Sequence, residues 1–323
     1  MRVAVLGCGQ ISPVHLKSWQ NIHEAEVVVV VDIDLDKAKT RQKEFNISES
    51  ETDYNLVIER EDIDVIDICL PTNLHMDAAL KAARSGKHIF CEKPMARTLD
   101  EARLMQETAE RHNVKLQIGF VRRFCNSWLK MKELVQSGIL GEKVVWRSAT
   151  CHQGAPTPWY YQKAEGAGPF LDGAVHNYDF ANFMFGRIKS VNSGLFTLGS
   201  KGDAFDTGSV SLEYENGAIL HMNWSWALPN TAYGGSLEDY FGANGALLYG
   251  CHGDFSYDNK TEGVITFIGK DNERKFFVYP ENDMFVDEIR AFYESCVFDK
   301  PVLASAKDGI EALKVALKVL GEV

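Results

Sequence analysis

Three short stretches of this 323-residue chain have residue types and spacings that could do chemistry. The first is Gly7-Cys8-Gly9-Gln10-Ile11-Ser12, set between an apolar run, Val3 to Leu6, and a patterned segment that begins Ser12-Pro13. A strand that turns on glycines into a helix leaves backbone N–H groups free at the helix N-terminus, where they can hold a pyrophosphate. A glycine pair after a strand also makes ordinary tight turns, so the neighbouring residues must decide. The second is Glu92-Lys93-Pro94, which closes the short apolar run His88 to Cys91. A lysine at a strand's carboxyl end, in a turn stiffened by proline, can set an ammonium against a developing alkoxide or a carbonyl. Elsewhere such a Glu-Lys pair is a solvated surface pair. The third is Asp172-Gly173-Ala174-Val175-His176, followed by Asn177 and preceded by the glycine-rich run Gly166-Ala167-Gly168-Pro169. A spacing of four predicts Asp172 and His176 on one helix face, one turn apart, so that the carboxylate can orient an imidazole acting as general base near neutral pH. The alternative is two helix residues with unrelated partners.

The residues after the glycine turn favour a dinucleotide. Ser12 is small enough for close helix–strand packing and is a candidate N-cap, and Pro13 suits the first helical position. Val27 to Val31 reads as a strand buried on both faces and ends at Asp32. A carboxylate there can accept hydrogen bonds from the adenosine ribose hydroxyls and repel a 2′-phosphate, which favours NAD over NADP. The alternative is that Asp32, or Asp34 beyond it, caps the next helix. Ile33 beside it offers no cation for a 2′-phosphate. Pro71-Thr72-Asn73-Leu74-His75 falls where a third strand ends, and serves either as a plain strand–helix turn or in cofactor contact, with His75 starting the helix in the first case.

These residues need a scaffold, and the first third of the chain supplies an alternation of strands and helices that predicts a doubly wound parallel sheet. Helices are expected over Asp36 to Phe45, Met76 to Ser85 and from the capping box Thr98-Leu99-Asp100-Glu101 to Asn113. Strands are expected at Val65 to Leu70, His88 to Cys91 and Lys115 to Phe120. From Val144 the rhythm changes. A helix around Leu171 to Phe185 precedes alternating segments, Ser209 to Tyr214, Ala218 to Trp226 and Leu237 to Phe241, with turn signals at Asn216-Gly217 and Ala243-Asn244-Gly245, which predicts a mostly antiparallel sheet. Helical patterns at Phe285 to Phe298 and Lys307 to Leu320 close the chain. The expected architecture is α/β: an N-terminal Rossmann domain, 1–121, and a C-terminal α+β domain on a large open sheet, 122–323, whose last helix can return to the first domain. The absence of a long linker predicts closely apposed domains with chemistry in a cleft.

Composition narrows the function. The chain is 45% hydrophobic, enough for two cored domains, and its net charge of −11 without a basic block argues against nucleic acid. No apolar stretch nears the roughly 20 residues a membrane span needs, and no signal peptide is read at the start, so a cytoplasmic protein without membrane partners is expected. The seven cysteines, Cys8, Cys69, Cys91, Cys125, Cys151, Cys251 and Cys296, are dispersed, read as reduced thiols, and show no metal-ligand spacing.

Taken together, the glycine turn, Glu92-Lys93-Pro94 and Asp172 to His176 fall in the order and approximate spacing of the Gfo/Idh/MocA family, the glucose–fructose oxidoreductase and inositol 2-dehydrogenase group, which the chain resembles along essentially its whole length. Ile118-Gly119-Phe120-Val121-Arg122-Arg123-Phe124 resembles the corresponding segment of inositol dehydrogenases. Ser12 in place of a third glycine, and Gly173-Ala174 between aspartate and histidine, depart from the pattern. The resemblance implies a nicotinamide cofactor, assembly into a homo-dimer or homo-tetramer through the C-terminal sheet, and reversible oxidation of a secondary hydroxyl on a sugar or cyclitol without a metal. It implies Lys93 as catalytic lysine, His176 as acid/base and Asp172 as the carboxylate beside them. Cofactor contacts are expected from Gly7, Gly9, Gln10, Ile11, Asp32, Ile33, Pro71, Thr72, Asn73, His75, Glu92 and Lys93. Substrate contacts are expected from Lys93, Arg123, Trp159, Tyr160, Asp172, His176 and Asn177, where rings pack on C–H faces and amides bond hydroxyls; Trp159, Tyr160 and Asn177 fit an ordinary core almost as well. Trp224, Trp226 and Tyr240 read as sheet packing or a subunit interface. A glycosidase that uses NAD transiently and a non-catalytic NAD-binding sensor are the alternatives.

Overall fold

The computed structural model describes residues 1–199, 201–229, 235–249 and 261–323; of the predicted features, Cys251 lies outside them. Two compact units form, Met1–Val121 with Asp283–Leu313, and Arg122–Asn282 with Lys314–Val323. In the first, β1 (Arg2–Leu6), α1 (Ser12–Gln20), β2 (Glu26–Val31), α2 (Leu35–Glu44), β3 (Glu49–Glu51), α3 (Tyr54–Ile58), β4 (Val65–Ile68), α4 (His75–Arg84), β5 (His88–Cys91), α5 (Leu99–Arg111) and β6 (Leu116–Ile118) follow in order. The strands pair in parallel as β3-β2-β1-β4-β5-β6. The strands at its centre are almost wholly apolar because helices cover both faces. β6 is shorter than predicted because the chain turns at once, Phe120 N–H reaching the Ile118 carbonyl at 2.7 Å.

Helix caps follow local chemistry. Thr98 and Glu101 form the predicted capping box of α5, and Asp34, not Asp32, caps α2. Ser12 does not cap α1: Ile11 is the N-cap residue, and the Ser12 hydroxyl donates to the Gly9 carbonyl at 3.0 Å, tightening the turn instead. Residues 283–313, assigned on sequence to the second domain, group with the first. The reason is α8 (Met284–Val297), whose Ile289 and Phe292 join the core around Leu16, Trp19, Val30 and Phe90.

The second unit holds α6 (Asn126–Gln136), β7 (Val144–Cys151), α7 (Val175–Phe185), β8 (Ile188–Phe196), β9 (Thr207–Tyr214), β10 (Ile219–Ser225), β11 (Gly235–Gly242), β12 (Gly245–Tyr249), β13 (Glu262–Gly269) and β14 (Arg274–Pro280); α9 (Ala306–Leu320) is divided between the units. Its sheet runs β14-β13-β12-β11-β7-β10-β9-β8 and is antiparallel except where β7 meets β10. Leu220, Met222 and Trp224 point to the packed face while His221 and Asn223 are exposed, the alternation of a sheet covered on one side. Trp128 of α6 and Phe180 of α7 meet Trp146 on that face. Trp224, Trp226 and Tyr240 are buried inside this unit, which makes them packing residues. The edge strands β8 and β14 escaped the sequence reading because they are mostly exposed and show little apolar alternation. Among the described residues, no helix is long and apolar enough to cross a membrane.

Candidate active site

The carboxyl ends of the central strands in the first unit are stitched side by side. Gly7 N–H bonds the Val31 carbonyl (2.7 Å), Cys69 N–H the Leu6 carbonyl (2.7 Å), Glu92 N–H the Ile68 carbonyl (3.0 Å) and Gly119 N–H the Cys91 carbonyl (2.8 Å). Asp32, the glycine turn, the Cys69–Pro71 segment, Glu92-Lys93 and Gly119 therefore form one row along the sheet edge where open α/β folds place ligands. Gly7 is required by geometry. Its φ is +96°, and a Cβ there would sit 2.4 Å from the Cys69 carbonyl oxygen. Gly9 is different: a Cβ would meet nothing within 4 Å, so the turn faces open space that a pyrophosphate can approach. Gln10 is exposed and Ile11 half-buried at the start of α1.

Asp32 is half-buried and braces this turn, its two oxygens accepting from Cys8 N–H and Asp34 N–H at 2.9 Å each. Burial, with the Asp32 charge adding to it, pushes the Cys8 thiol up to about 12, so the turn carries a neutral sulfur. Ile33 is 93% exposed. Arg41 of α2, which the sequence reading passed over, donates to the Gly9 carbonyl at 3.3 Å and brings a cation to the turn. Its signal was its place on the helix that follows Asp32. Beyond β4, Pro71 leads into a short 3-10 turn, with Thr72 buried and Asn73 exposed. His75 is buried, its ring nitrogens 2.9 Å from the Pro94 carbonyl and 2.7 Å from that of Leu70. The ring thus ties two loops of the row together, and burial pulls its pKa down. Glu92 is buried and turns one oxygen to the Lys93 N–H at 3.1 Å; Lys93 is half-buried.

In the second unit Asp172 and His176 are not on one helix. α7 begins at Val175, and Asp172 lies in the turn before it, its N–H bonded to the Gly168 carbonyl at 3.0 Å. The cause is a tertiary contact: Gly173 rests on the indole of Trp224, where a Cβ would stand 2.7 Å from Cζ2. Asn177 is fully buried, and its amide donates to Ser148 Oγ at 3.0 Å. Arg123 lies inside the unit, its guanidinium against both oxygens of Asp179 at 3.0 and 2.7 Å. Trp159 and Tyr160 stack with centroids 3.7 Å apart, and Tyr160 meets the edge of Trp226.

Residues 1–120 match the family described as "Oxidoreductase family, NAD-binding Rossmann fold", and residues 128–253 match the "GFO/IDH/MocA C-terminal domain". The chain belongs to the Gfo/Idh/MocA oxidoreductase family. Its first domain is the NAD-binding Rossmann fold of that family. Among Gfo/Idh/MocA relatives, it is 27% identical to the myo-inositol 2-dehydrogenase of Thermotoga maritima over 97% of this chain and 93% of that one. It is 31% identical to the scyllo-inositol 2-dehydrogenase (NAD(+)) of Bacillus subtilis, over 77% of this chain and 74% of that protein. The structure of levoglucosan dehydrogenase with NADH and levoglucosan superposes with a TM-score of 0.84 at 21% identity, covering 100% of this chain and 96% of the other, which shows a shared fold.

Proposed function

We propose that this Gfo/Idh/MocA protein is a dehydrogenase that reversibly oxidises a secondary hydroxyl of a cyclitol or sugar, with NAD preferred over NADP. One observation carries the reading: the open glycine turn, Asp32 and Lys93 stand in a single row along the carboxyl edge of the parallel sheet. Backbone N–H groups of the turn at Gly9, Gln10 and Ile11 would hold the pyrophosphate, those of Gly7 and Cys8 being bonded to Val31 and Asp32; Asp32 would take the ribose hydroxyls and disfavour a 2′-phosphate; Pro71 to Asn73 would flank the cofactor. Bound there, the nicotinamide supplies the acceptor for the hydride that leaves the substrate carbon. The Lys93 ammonium stabilises charge developing on the substrate oxygen. His176 takes the hydroxyl proton at its ring nitrogen, and Asp172 orients the imidazole and favours its charged form. The stacked Trp159 and Tyr160 offer apolar faces to substrate C–H groups. The names of the inositol dehydrogenase relatives support the substrate class.

The same reading assembles the chain through the open face of the second sheet. Cross-strand register puts Leu237 and Phe241 of β11 on the same side as Phe276 and Val278 of β14, and all four are exposed.

The test is reduction of NAD or NADP, followed by absorbance of the reduced ring, with myo-inositol, scyllo-inositol, glucose and related sugars. Turnover of one polyol is expected, and Lys93→Met or His176→Asn should lower kcat by about 100-fold or more while NAD still binds. Product without net NADH would point to the glycosidase reading, and NAD binding without turnover of any substrate to the sensor reading. Near-normal kcat in either variant removes that residue from the chemistry.

A further inference from the structure

Beneath Lys93 lies a buried charged cluster that the chemistry above does not use. His15 sits one turn into α1, just beyond the glycine turn, and is 1% exposed. Its Nδ1 is 3.0 Å from both oxygens of Asp67, in the middle of β4, and its Nε2 is 2.9 Å from Glu92 Oε1 at the end of β5. Trp19 Nε1 donates to Asp67 Oδ2 at 2.8 Å, and Cys69 Sγ lies 3.3 Å from His15 Nδ1. His15 Nδ1, Asp67 and Cys69 bring metal-ligand atom types within 4.8 Å of one another. Here, however, each ring nitrogen already faces a carboxylate, and the indole takes an Asp67 oxygen, so the groups satisfy one another. Burial alone would discharge the imidazole, but Asp67 outweighs it and keeps the His15 pKa well above the ordinary value.

Such a cluster is expensive in a core where apolar residues would pack without desolvation cost, so a geometric task is the natural reason to keep it. The task is visible one residue further on. Glu92 Oε1 is fixed by His15, and Glu92 Oε2 receives the Lys93 N–H at 3.1 Å. Gly119 closes the remaining side, since a Cβ there would stand 2.8 Å from Oε1. We propose that His15 is a positioning residue: anchored on Asp67, it locks the Glu92 carboxylate, which locks the peptide from which the Lys93 ammonium extends. The proposal rests on the reading of Lys93 as catalytic.

The test compares His15→Leu, His15→Gln and Gly119→Ala with wild type and Lys93→Met. Each is assayed for kcat and KM with NAD and the polyol that wild type turns over, for NAD affinity, and by 13C NMR after reductive methylation of lysines, the Lys93 signal being the one lost in Lys93→Met. His15→Leu is expected to lower kcat by about 10- to 100-fold, the scale of a misplaced catalytic group, with KM and NAD affinity little changed. It should also move the pH titration of the Lys93 signal while other lysines stay put. His15→Gln, which can still donate to Glu92, should recover most of both readouts. Gly119→Ala pushes the same carboxylate from the other side with His15 intact and should reproduce both effects, so it decides the matter if His15→Leu fails to fold. An unmoved Lys93 signal in a folded His15→Leu protein or in Gly119→Ala overturns the proposal, as does a loss of kcat no greater than the loss of NAD affinity. If Lys93→Met itself keeps full turnover, the catalytic reading falls, and the unchanged kcat expected of His15→Leu in that case marks the failure as belonging there.

Discussion

At the scale of single residues, the proposed chemistry rests on groups whose neighbours assign their work. Asp32 illustrates this. Its carboxylate already accepts from two backbone N–H groups, yet it stands half-exposed at the end of β2 beside an open turn, so it can brace the loop and still meet a ligand. Asp32→Ser is therefore expected to weaken NAD by about 10- to 100-fold, since a hydrogen bond to a charged group contributes about 1.5–3 kcal/mol. NADP should lose much less, because its 2′-phosphate gains relief from the removed charge; titration of tryptophan fluorescence with each cofactor checks this. Equal weakening of both would leave Asp32 as a loop brace alone. Asp32, Lys93 and His176 could be singled out as candidates from the sequence because each stands next to a motif. His15 and Asp67 were not, although each left a trace: a histidine one turn beyond the glycine turn, and a single carboxylate within the apolar strand Val-Ile-Asp-Ile. Nothing local says that residues 15, 67 and 92 meet.

At the scale of elements, the segment before α7 is the instructive case. The four-residue spacing of Asp172 and His176 predicts a shared helix face, but the helix starts three residues after Asp172. Gly173 accounts for the difference, because the chain must approach the Trp224 ring more closely than any side chain allows. Gly173→Ala would force the α7 N-terminus off β10, with an overpacking cost of about 1–3 kcal/mol. The denaturant midpoint should fall accordingly, and turnover should drop with unchanged NAD affinity, since His176 moves while the cofactor turn does not. A midpoint equal to wild type would mean that the indole can yield. Where ends are set by neighbours in sequence, as in the Thr98–Glu101 box, the prediction and the structure agree.

At the scale of the whole molecule, the buried cluster predicts a pH profile. His15 has its pKa raised above the ordinary 6.5, so its contribution to stability is fully present below that value and is lost as pH rises through its folded-state pKa. For Glu92 burial opposes ionisation, but His15 wins and lowers the pKa below the ordinary 4.5, so that its contribution holds above 4.5 and is lost as pH falls through the folded value. Both groups contribute fully only between these limits. The melting-temperature difference between wild type and His15→Gln should be widest at about pH 5 to 6.5 and narrow toward alkaline pH. Terms common to both proteins, such as the lowered pKa of His75, cancel in that comparison. A difference that grows with pH would contradict a charged His15.

The sequence by itself determined the parts that depend on near neighbours: the parallel sheet from its apolar runs, the glycine turn, the carboxylate after β2, the lysine after β5, and the change to antiparallel strands in the second unit. It determined the family for the same reason, since these short motifs keep their order along the chain. The tertiary structure alone decided that α8 completes the first core, that Asp172 precedes its helix, and that His15 reaches Asp67 and Glu92. Each of these depends on side chains from distant parts of the chain competing for one buried volume, a competition that local spacing cannot encode.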